Sequence, residues 1–175
     1  MSKNVEIKAK ISDIKTFLQL ASSIADGPAQ ILEQVDTYFK VDNGRLKLRR
    51  IQGEDAELIF YDRPDTEGPK LSNYSKQEFK NSEEVKGLLD VLTSSLGVLG
   101  EVRKTRHLLM SGQTRIHVDN VQNLGCFMEL EVVLKENETL NYGKQIADEL
   151  MAKLNVNQED LISGSYLNLL TKPSN

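Results

Sequence analysis

The feature that most constrains the fold is a set of short segments in which charged and apolar residues alternate. The first segment, residues 5–11 (VEIKAKI), places Glu6 and Lys8 on one strand face, because successive side chains of a strand point to opposite faces. The same alternation returns in residues 45–49 (RLKLR) and 127–132 (FMELEV). If these faces meet, they form a cationic cavity with an acidic corner.

Composition favours one globular domain over residues 1–175, with 39% hydrophobic and 27% charged residues. The net charge of −4 argues against a nucleic-acid partner. The single cysteine, Cys126, excludes an internal disulfide and favours a reducing compartment. No apolar run reaches the roughly 20 residues of a membrane span, and the charged N-terminus lacks an apolar signal region. We therefore expect a cytoplasmic protein without a membrane partner.

Turn residues and hydrophobic periodicity predict eight strands and three main helices. Helices are expected after Asp13, from Ser82 and over about residues 140–154, with a short one near residues 166–170. A turn is expected at residues 53–55 and a frayed terminus at residues 172–175. The strands are predicted at residues 5–11, 30–41, 45–52, 57–63, 73–80, 101–110, 113–121 and 126–135.

Hairpin turns join most of these strands, so the sheet is expected to be antiparallel. Eight antiparallel strands can close into a barrel whose interior holds a small ligand. The sequence therefore predicts an α+β fold, a closed eight-stranded antiparallel β-barrel with a charged interior. Its apolar outer faces would be covered by the amphipathic helices.

Two kinds of charged pair could bind a metal-bound polyphosphate. Glu129 and Glu131 share a strand face, as ligands of a hard divalent cation would, although spacing alone favours an exposed strand pair. Lys47 and Arg49 lie two residues apart, as do Lys104 and Arg106, and such pairs can bind phosphate oxygens or form solvated strand edges. For the two histidines, His107 and His117, packing or surface positions are favoured over metal ligation.

Together these segments resemble the CYTH superfamily, the triphosphate tunnel metalloenzymes, which includes class IV adenylyl cyclases, thiamine triphosphatases and tripolyphosphatases. The resemblance extends from about residue 4 to residue 170 and implies a closed eight-stranded tunnel. The matching segments are residues 5–10 (VEIKAK), 36–39 (DTYF), 44–49 (GRLKLR), 61–65 (YDRPD), 115–119 (RIHVD) and 124–131 (LGCFMELE).

The resemblance also implies roles for individual residues. Glu6, Glu129 and Glu131 would hold Mg²⁺ or Mn²⁺, and Asp119 matches an acidic position near the metal or the attacking group. The family's opening Glu-x-Glu-x-Lys is Glu6-x-Lys8-x-Lys10 here, which should weaken a second metal site and lets Lys8 contact phosphate. The triphosphate would be bound by Lys10, Lys47, Arg49, Arg63, Lys76, Lys104, Arg106 and Arg115.

The implied function is a metal-dependent reaction on a small-molecule triphosphate, by a monomer or a homodimer. Hydrolysis of tripolyphosphate, thiamine triphosphate or a nucleoside triphosphate is favoured, with Glu6 or Lys8 near the nucleophile. Formation of cyclic AMP and diphosphate from ATP is the alternative, although no nucleobase pocket is recognisable in the sequence. The lysine at position 8 also motivates a third hypothesis, a non-catalytic binder of polyphosphate or nucleotide.

Overall fold

Eight antiparallel strands form a closed barrel in the order β1-β5-β4-β3-β2-β6-β7-β8, which confirms the predicted fold class. The computed structural model describes residues 1–53 and 55–172; Glu54 of the predicted turn and residues 173–175 of the predicted frayed terminus lie outside them. The strands are β1 (Ser2–Lys10), β2 (Gln30–Phe39), β3 (Arg45–Ile51), β4 (Ala56–Asp62), β5 (Lys70–Phe79), β6 (Val98–Ser111), β7 (Thr114–Val121) and β8 (Gly125–Leu134).

The helices lie outside the barrel and cover its apolar face. Asp13 caps the first helix by accepting the Thr16 N–H at 3.1 Å, and Asn81 and Thr139 cap the next two in the same way. Among the described residues, every helix is too short or too polar to cross a membrane. The helices are α1 (Ile14–Ile24), α2 (Ser82–Leu96), α3 (Leu140–Lys153) and α4 (Tyr166–Thr171), with a 3₁₀ turn at Gln158–Asp160.

The barrel has its apolar residues outside and many of its charges inside. On β1, Val5 and Ile7 are fully buried beneath the helices, in one apolar cluster with residues of α1 and α3. A second apolar cluster lies beneath α2. Lys8 and Lys104 are buried as well, but on the inner face. Alternation along the strands therefore separates a helix-covered core from a charged interior.

The segment that leads into α4 closes one end of the barrel. The backbone N–H of Ile162 donates to the carbonyl of Lys8 at 3.0 Å, which fixes this segment to β1. The ring of Tyr166 packs on Phe127 at a centroid distance of 5.2 Å. We call this the closed end; the β3–β4 and β6–β7 hairpins lie at the opposite end.

Gly143 lets α3 approach the barrel closely. A Cβ at this position would lie 2.5 Å from Val5 Cγ2 and 2.8 Å from Leu134 Cδ2, whereas a Cβ at Gly87 in α2 would contact nothing within 4 Å. Gly143→Ala should therefore lower the free energy of unfolding by about 1–3 kcal/mol. Gly87→Ala should raise it by about 0.5–1 kcal/mol, since alanine favours a helix. Denaturant unfolding of both variants checks this; a stabilising Gly143→Ala would contradict the close approach.

Candidate active site in the barrel interior

The barrel encloses a cavity of about 270 Å³ that is lined by eight Lys or Arg residues and five Asp or Glu residues. It opens to solvent at the end away from α4. The Lys76 and Arg115 side chains, toward that end, are 39% and 30% exposed, whereas Lys104 is 1% exposed. The charged lining residues are Glu6, Lys8, Asp36, Lys47, Arg49, Glu57, Arg63, Lys76, Lys104, Arg106, Arg115, Glu129 and Glu131.

One buried carboxylate, Asp36, holds three cations in place. Its Oδ2 accepts hydrogen bonds from Lys47 Nζ at 2.9 Å and Lys104 Nζ at 3.0 Å, and its Oδ1 accepts from Arg49 Nε at 2.8 Å. The group forms because β2 pairs with β3 on one side and β6 on the other. Although burial opposes ionisation, Arg49, Lys104 and Lys47 hold the pKa of Asp36 well below its usual value. These cations are therefore prealigned around a single anion.

Across the cavity, His117, Glu129 and Glu131 form a group that could hold a metal ion. One ligand atom from each residue lies within 4.8 Å of the other two. Burial lowers the pKa of His117, and the nearby Arg106 lowers it further, which favours the neutral imidazole that a metal ion requires. Two carboxylates and one imidazole fit Mn²⁺, and the carboxylates alone also fit Mg²⁺.

The two carboxylates of this candidate metal site already form ion pairs with Lys and Arg side chains of the protein. Glu129 Oε1 lies 2.9 Å from Lys8 Nζ, and its Oε2 accepts from Arg106 at 2.9 Å. Glu131 Oε2 accepts from Arg115 Nε at 2.8 Å. Despite burial, the charges of Lys8 and Arg106 and a hydrogen bond from His117 hold the pKa of Glu129 well below its usual value. A metal ion would have to compete with Lys8 for Glu129.

Glu6 lies beside this group rather than within it. It pairs with Glu131 across β1 and β8, and its Oε2 lies 3.1 Å from Arg63 Nε. Burial raises its pKa to about 7, and the charge of Glu131 adds to this effect. Of the three predicted metal ligands, Glu129 and Glu131 thus come together with His117, which the sequence favoured as a packing residue.

Most of the predicted site residues line the cavity, but two do not. Lys10 shares its parity with Lys8, yet it is the last residue of β1 and is exposed. Asp119 is fully buried and outside the cavity lining, and it accepts from Arg106 at 2.7 and 2.8 Å and from the Tyr166 hydroxyl at 2.8 Å. Its contacts are those of a residue that orients Arg106.

The closing segment also contacts the site. The Gly164 carbonyl accepts from Arg63 at 2.9 Å and from Lys8 Nζ at 3.4 Å. The Lys8 ammonium also lies 4.0 Å from the centroid of the Tyr166 ring, a cation–π contact. Sequence analysis did not identify Asp36, His117 or Tyr166 as site residues. The parity of Asp36 on β2 and of His117 on β7 was a usable signal, whereas Tyr166 arrives from a distant helix.

A family model for the CYTH domain matches residues 2–166, and the chain belongs to this family. A Methanocaldococcus jannaschii protein, named as a candidate adenylate cyclase, is 28% identical over 177 residues that cover 94% of this chain and 97% of that protein.

Two solved structures share the fold. A candidate adenylate cyclase from Vibrio parahaemolyticus superposes with a TM-score of 0.80 at 17% identity, covering 97% of this chain and 98% of that one. A Hippeastrum protein, described as a candidate adenylyl cyclase with a dominant triphosphatase activity, gives a TM-score of 0.63 at 12% identity, covering 97% and 94%.

Lys104 should make phosphate binding depend on pH. Burial lowers its pKa to about 7, with Arg49 and Arg106 adding to the effect and Asp36 opposing it. Below that pH Lys104 is a cation that attracts phosphate, and above it a neutral amine. Lys104→Arg keeps its charge throughout, so from about pH 6 to about pH 8 the affinity of the unmodified protein for tripolyphosphate should fall about tenfold relative to that of the variant.

Calorimetric titration at several pH values gives this comparison. The ionisation of tripolyphosphate itself affects both proteins equally, and the ratio of their affinities removes it. Parallel pH profiles for the two proteins would show that Lys104 keeps its charge or does not meet the phosphate.

Proposed function

We propose that the protein is a divalent-metal-dependent phosphohydrolase that acts on a triphosphate inside the barrel. The observation that carries the proposal is the meeting, in one cavity, of the cations around Asp36 with the His117, Glu129 and Glu131 group. An excess of cations over carboxylates suits a polyanionic ligand, and a carboxylate corner suits the metal ion that accompanies such ligands. The family assignment and the Hippeastrum protein support the same chemistry.

In this proposal the chain's own residues bind and orient the phosphates. Lys47, Arg49 and Lys104 would bind phosphate oxygens, and Arg106 and Arg115 would neutralise charge that develops as the phosphorus–oxygen bond breaks. Arg63, Lys76 and Lys10 are further candidates, with Lys10 outside the cavity lining. A bound Mg²⁺ or Mn²⁺, held by Glu129, Glu131 and His117, would supply Lewis-acid stabilisation of the phosphate oxygens.

Glu6 is the proposed proton acceptor near the attacking water. Its carboxylate lines the cavity beside Glu131, at the edge of the candidate metal group. Asp119 would act indirectly, by holding the Arg106 guanidinium in its bidentate pair. Lys8 would hold Glu129 in place and contact phosphate.

Adenylyl cyclase activity is the second candidate, favoured by the name of the Methanocaldococcus relative. In that reaction the ribose 3′-hydroxyl of ATP, rather than water, attacks the α-phosphorus and releases diphosphate. The cation group serves either reaction, so the two differ in the nucleophile and in the phosphorus that it attacks. A binder without turnover remains the third candidate.

One experiment separates these candidates. Phosphate, diphosphate and cyclic AMP should be measured with tripolyphosphate, thiamine triphosphate and ATP, with Mg²⁺, with Mn²⁺ and with EDTA. We expect metal-dependent phosphate release, and loss of both turnover and metal binding in Glu129→Gln/Glu131→Gln. Glu57→Gln, a cavity carboxylate outside the metal group, is the matched control and should still bind metal.

Two results would contradict the proposal. Cyclic AMP as the only product would identify a cyclase, and tight binding without any product would identify a binder.

The variants replace Glu129 and Glu131 by glutamine because glutamine keeps the size of the side chain. Alanine would remove the charge and also the side-chain oxygen of residue 129 that accepts from Lys8 and Arg106, whereas glutamine keeps an acceptor there.

Lys8 should limit the site to one strongly bound metal ion. Its ammonium lies 2.9 Å from Glu129 Oε1. It therefore supplies the positive charge that a second metal ion would otherwise bring to the carboxylates. Lys8→Glu should therefore raise the stoichiometry from one metal ion per chain to two, and Lys8→Met, which removes the charge without adding a ligand, should leave it at one. Calorimetric Mn²⁺ titration measures this. Two ions per chain in the unmodified protein would refute the role given to Lys8.

A further inference from the structure

Three aliphatic side chains lie in the charged cavity, apart from the apolar clusters of the protein. Leu32, Ile51 and Leu108 all line the cavity. None of them is a member of the three apolar clusters that the described residues form. We refer to these three residues as the apolar patch. Aliphatic side chains that face a cavity suited to phosphate, and that pack in no apolar cluster, require an explanation.

The patch is contiguous across three neighbouring strands. Gln34 of β2 pairs with Ile51 of β3, and Gln30 pairs with Leu108 of β6. Leu32 lies between Gln30 and Gln34, so it is the diagonal neighbour of both aliphatic partners on the same face. Side chains in this relation are close enough to contact one flat group together.

The patch lies toward the open end of the cavity. Leu32 is the third residue of β2, Ile51 is the last of β3, and Leu108 is near the end of β6, on the side of the hairpins. The closing residue Tyr166 is at the opposite end, beside Lys8 and Lys104. A ligand that enters with its phosphates first would therefore leave its other end against the patch.

The inner face of β2 changes chemistry step by step from the open end inward. Leu32 is apolar, Gln34 carries an amide, and Asp36 holds the three cations. Gln34 is only 4% exposed, and its side-chain oxygen has no hydrogen-bond partner. A buried unpaired amide oxygen is costly unless a ligand donates to it.

Inorganic tripolyphosphate would use only part of this surface. Its ionised oxygens accept hydrogen bonds and cannot donate to Gln34, and it has no apolar group to cover the patch. The cavity volume of about 270 Å³ is slightly below the range of about 300–1,000 Å³ for pockets that enclose whole organic ligands. The interior thus suits the phosphates, and the open end suits an organic group.

We propose that the apolar patch is the subsite for the organic group of a triphosphate monoester, and that Gln34 accepts a hydrogen bond from an O–H or N–H of that organic group, such as a ribose hydroxyl or the amino group of thiamine. The substrate class is then an organic triphosphate with a heteroaromatic group, such as a nucleobase or the rings of thiamine, rather than inorganic polyphosphate. This inference rests on the proposed triphosphate chemistry and adds the identity of the ester group.

The test compares organic and inorganic triphosphates on the same variants. Ile51→Thr and Leu108→Thr remove apolar contact from the patch, and Gln34→Met removes the amide. Ile31→Thr is the matched control, because Ile31 is next to Leu32 on β2 but is 63% exposed on the outer face. For each protein, kcat/KM is measured with ATP, thiamine triphosphate and tripolyphosphate, and binding of the same three is measured by calorimetry in EDTA.

We expect kcat/KM for one organic triphosphate, divided by that for tripolyphosphate, to fall about tenfold in each patch variant and in Gln34→Met. The same ratio should not change in Ile31→Thr. The ratio is insensitive to partial loss of folded protein, which affects both substrates equally. Which organic substrate responds identifies the source of the group, and a response with either supports the subsite.

An unchanged ratio in the patch variants, or an equal change in Ile31→Thr, overturns the inference. If no triphosphate is turned over, the proposed function fails, and the subsite is judged on binding alone. A selective loss of affinity for an organic triphosphate then supports it, and equal affinities overturn it.

Discussion

The pairing of every cavity cation with a carboxylate is the interaction on which this structure depends. Each of the eight lining Lys or Arg residues has a carboxylate oxygen within 3.1 Å, and several of these cations have almost no exposed surface. Burying a lone charge costs several kcal/mol, and removing one partner of a buried pair costs about 3–5 kcal/mol. The ion pairs thus fix the positions of the cations before any ligand arrives. Such prealignment favours binding, because little reorganisation accompanies it.

A charged interior determines what the rest of the chain must do. Successive side chains of a strand point to opposite faces, and here the charged ones face inward. The apolar side chains therefore face outward and have to be covered. α1, α2 and α3 provide this cover. α3 can lie close against Val5 and Leu134 because Gly143 has no side chain at the point of contact. The closing segment completes the arrangement at one end, where Tyr166 contacts Lys8 and Asp119. The alternation of charged and apolar residues along the strands therefore explains both the helices outside the barrel and the charged cavity inside it.

Much of the fold and part of the site could be predicted from the sequence. Turn residues and alternation gave the strands within a few residues, and parity correctly placed Glu129, Lys47 and Arg106 in one cavity. Parity alone cannot show where a strand ends: Lys10 has the parity of Lys8, but as the last residue of β1 it is exposed and lies outside the cavity lining.

The residues that the sequence analysis missed depend on pairing between distant strands. The role of Asp36 requires β2 to lie between β3 and β6, so that Lys47 and Lys104, which are 57 positions apart in the chain, approach the same carboxylate oxygen. His117 alone gives no sign of metal ligation, and it becomes a candidate ligand only because β7 pairs with β8 beside Glu129. Alternation within a strand predicts which face a side chain occupies. The pairing of strands in the closed barrel determines which side chains it meets there.

Lys8 contacts both the candidate metal site of His117, Glu129 and Glu131 and the segment that closes one end of the barrel. Its ammonium contacts Glu129 on one side and the Gly164 carbonyl and Tyr166 ring on the other. Burial lowers its pKa, so the contacts with Glu129 and the ring are what favour its charged form. A metal ion that displaced Lys8 from Glu129 would leave the ammonium with weaker partners in the closing segment. A phosphate oxygen near Lys8 would replace the carboxylate that the metal takes, so metal and phosphate together would keep the Lys8 ammonium paired.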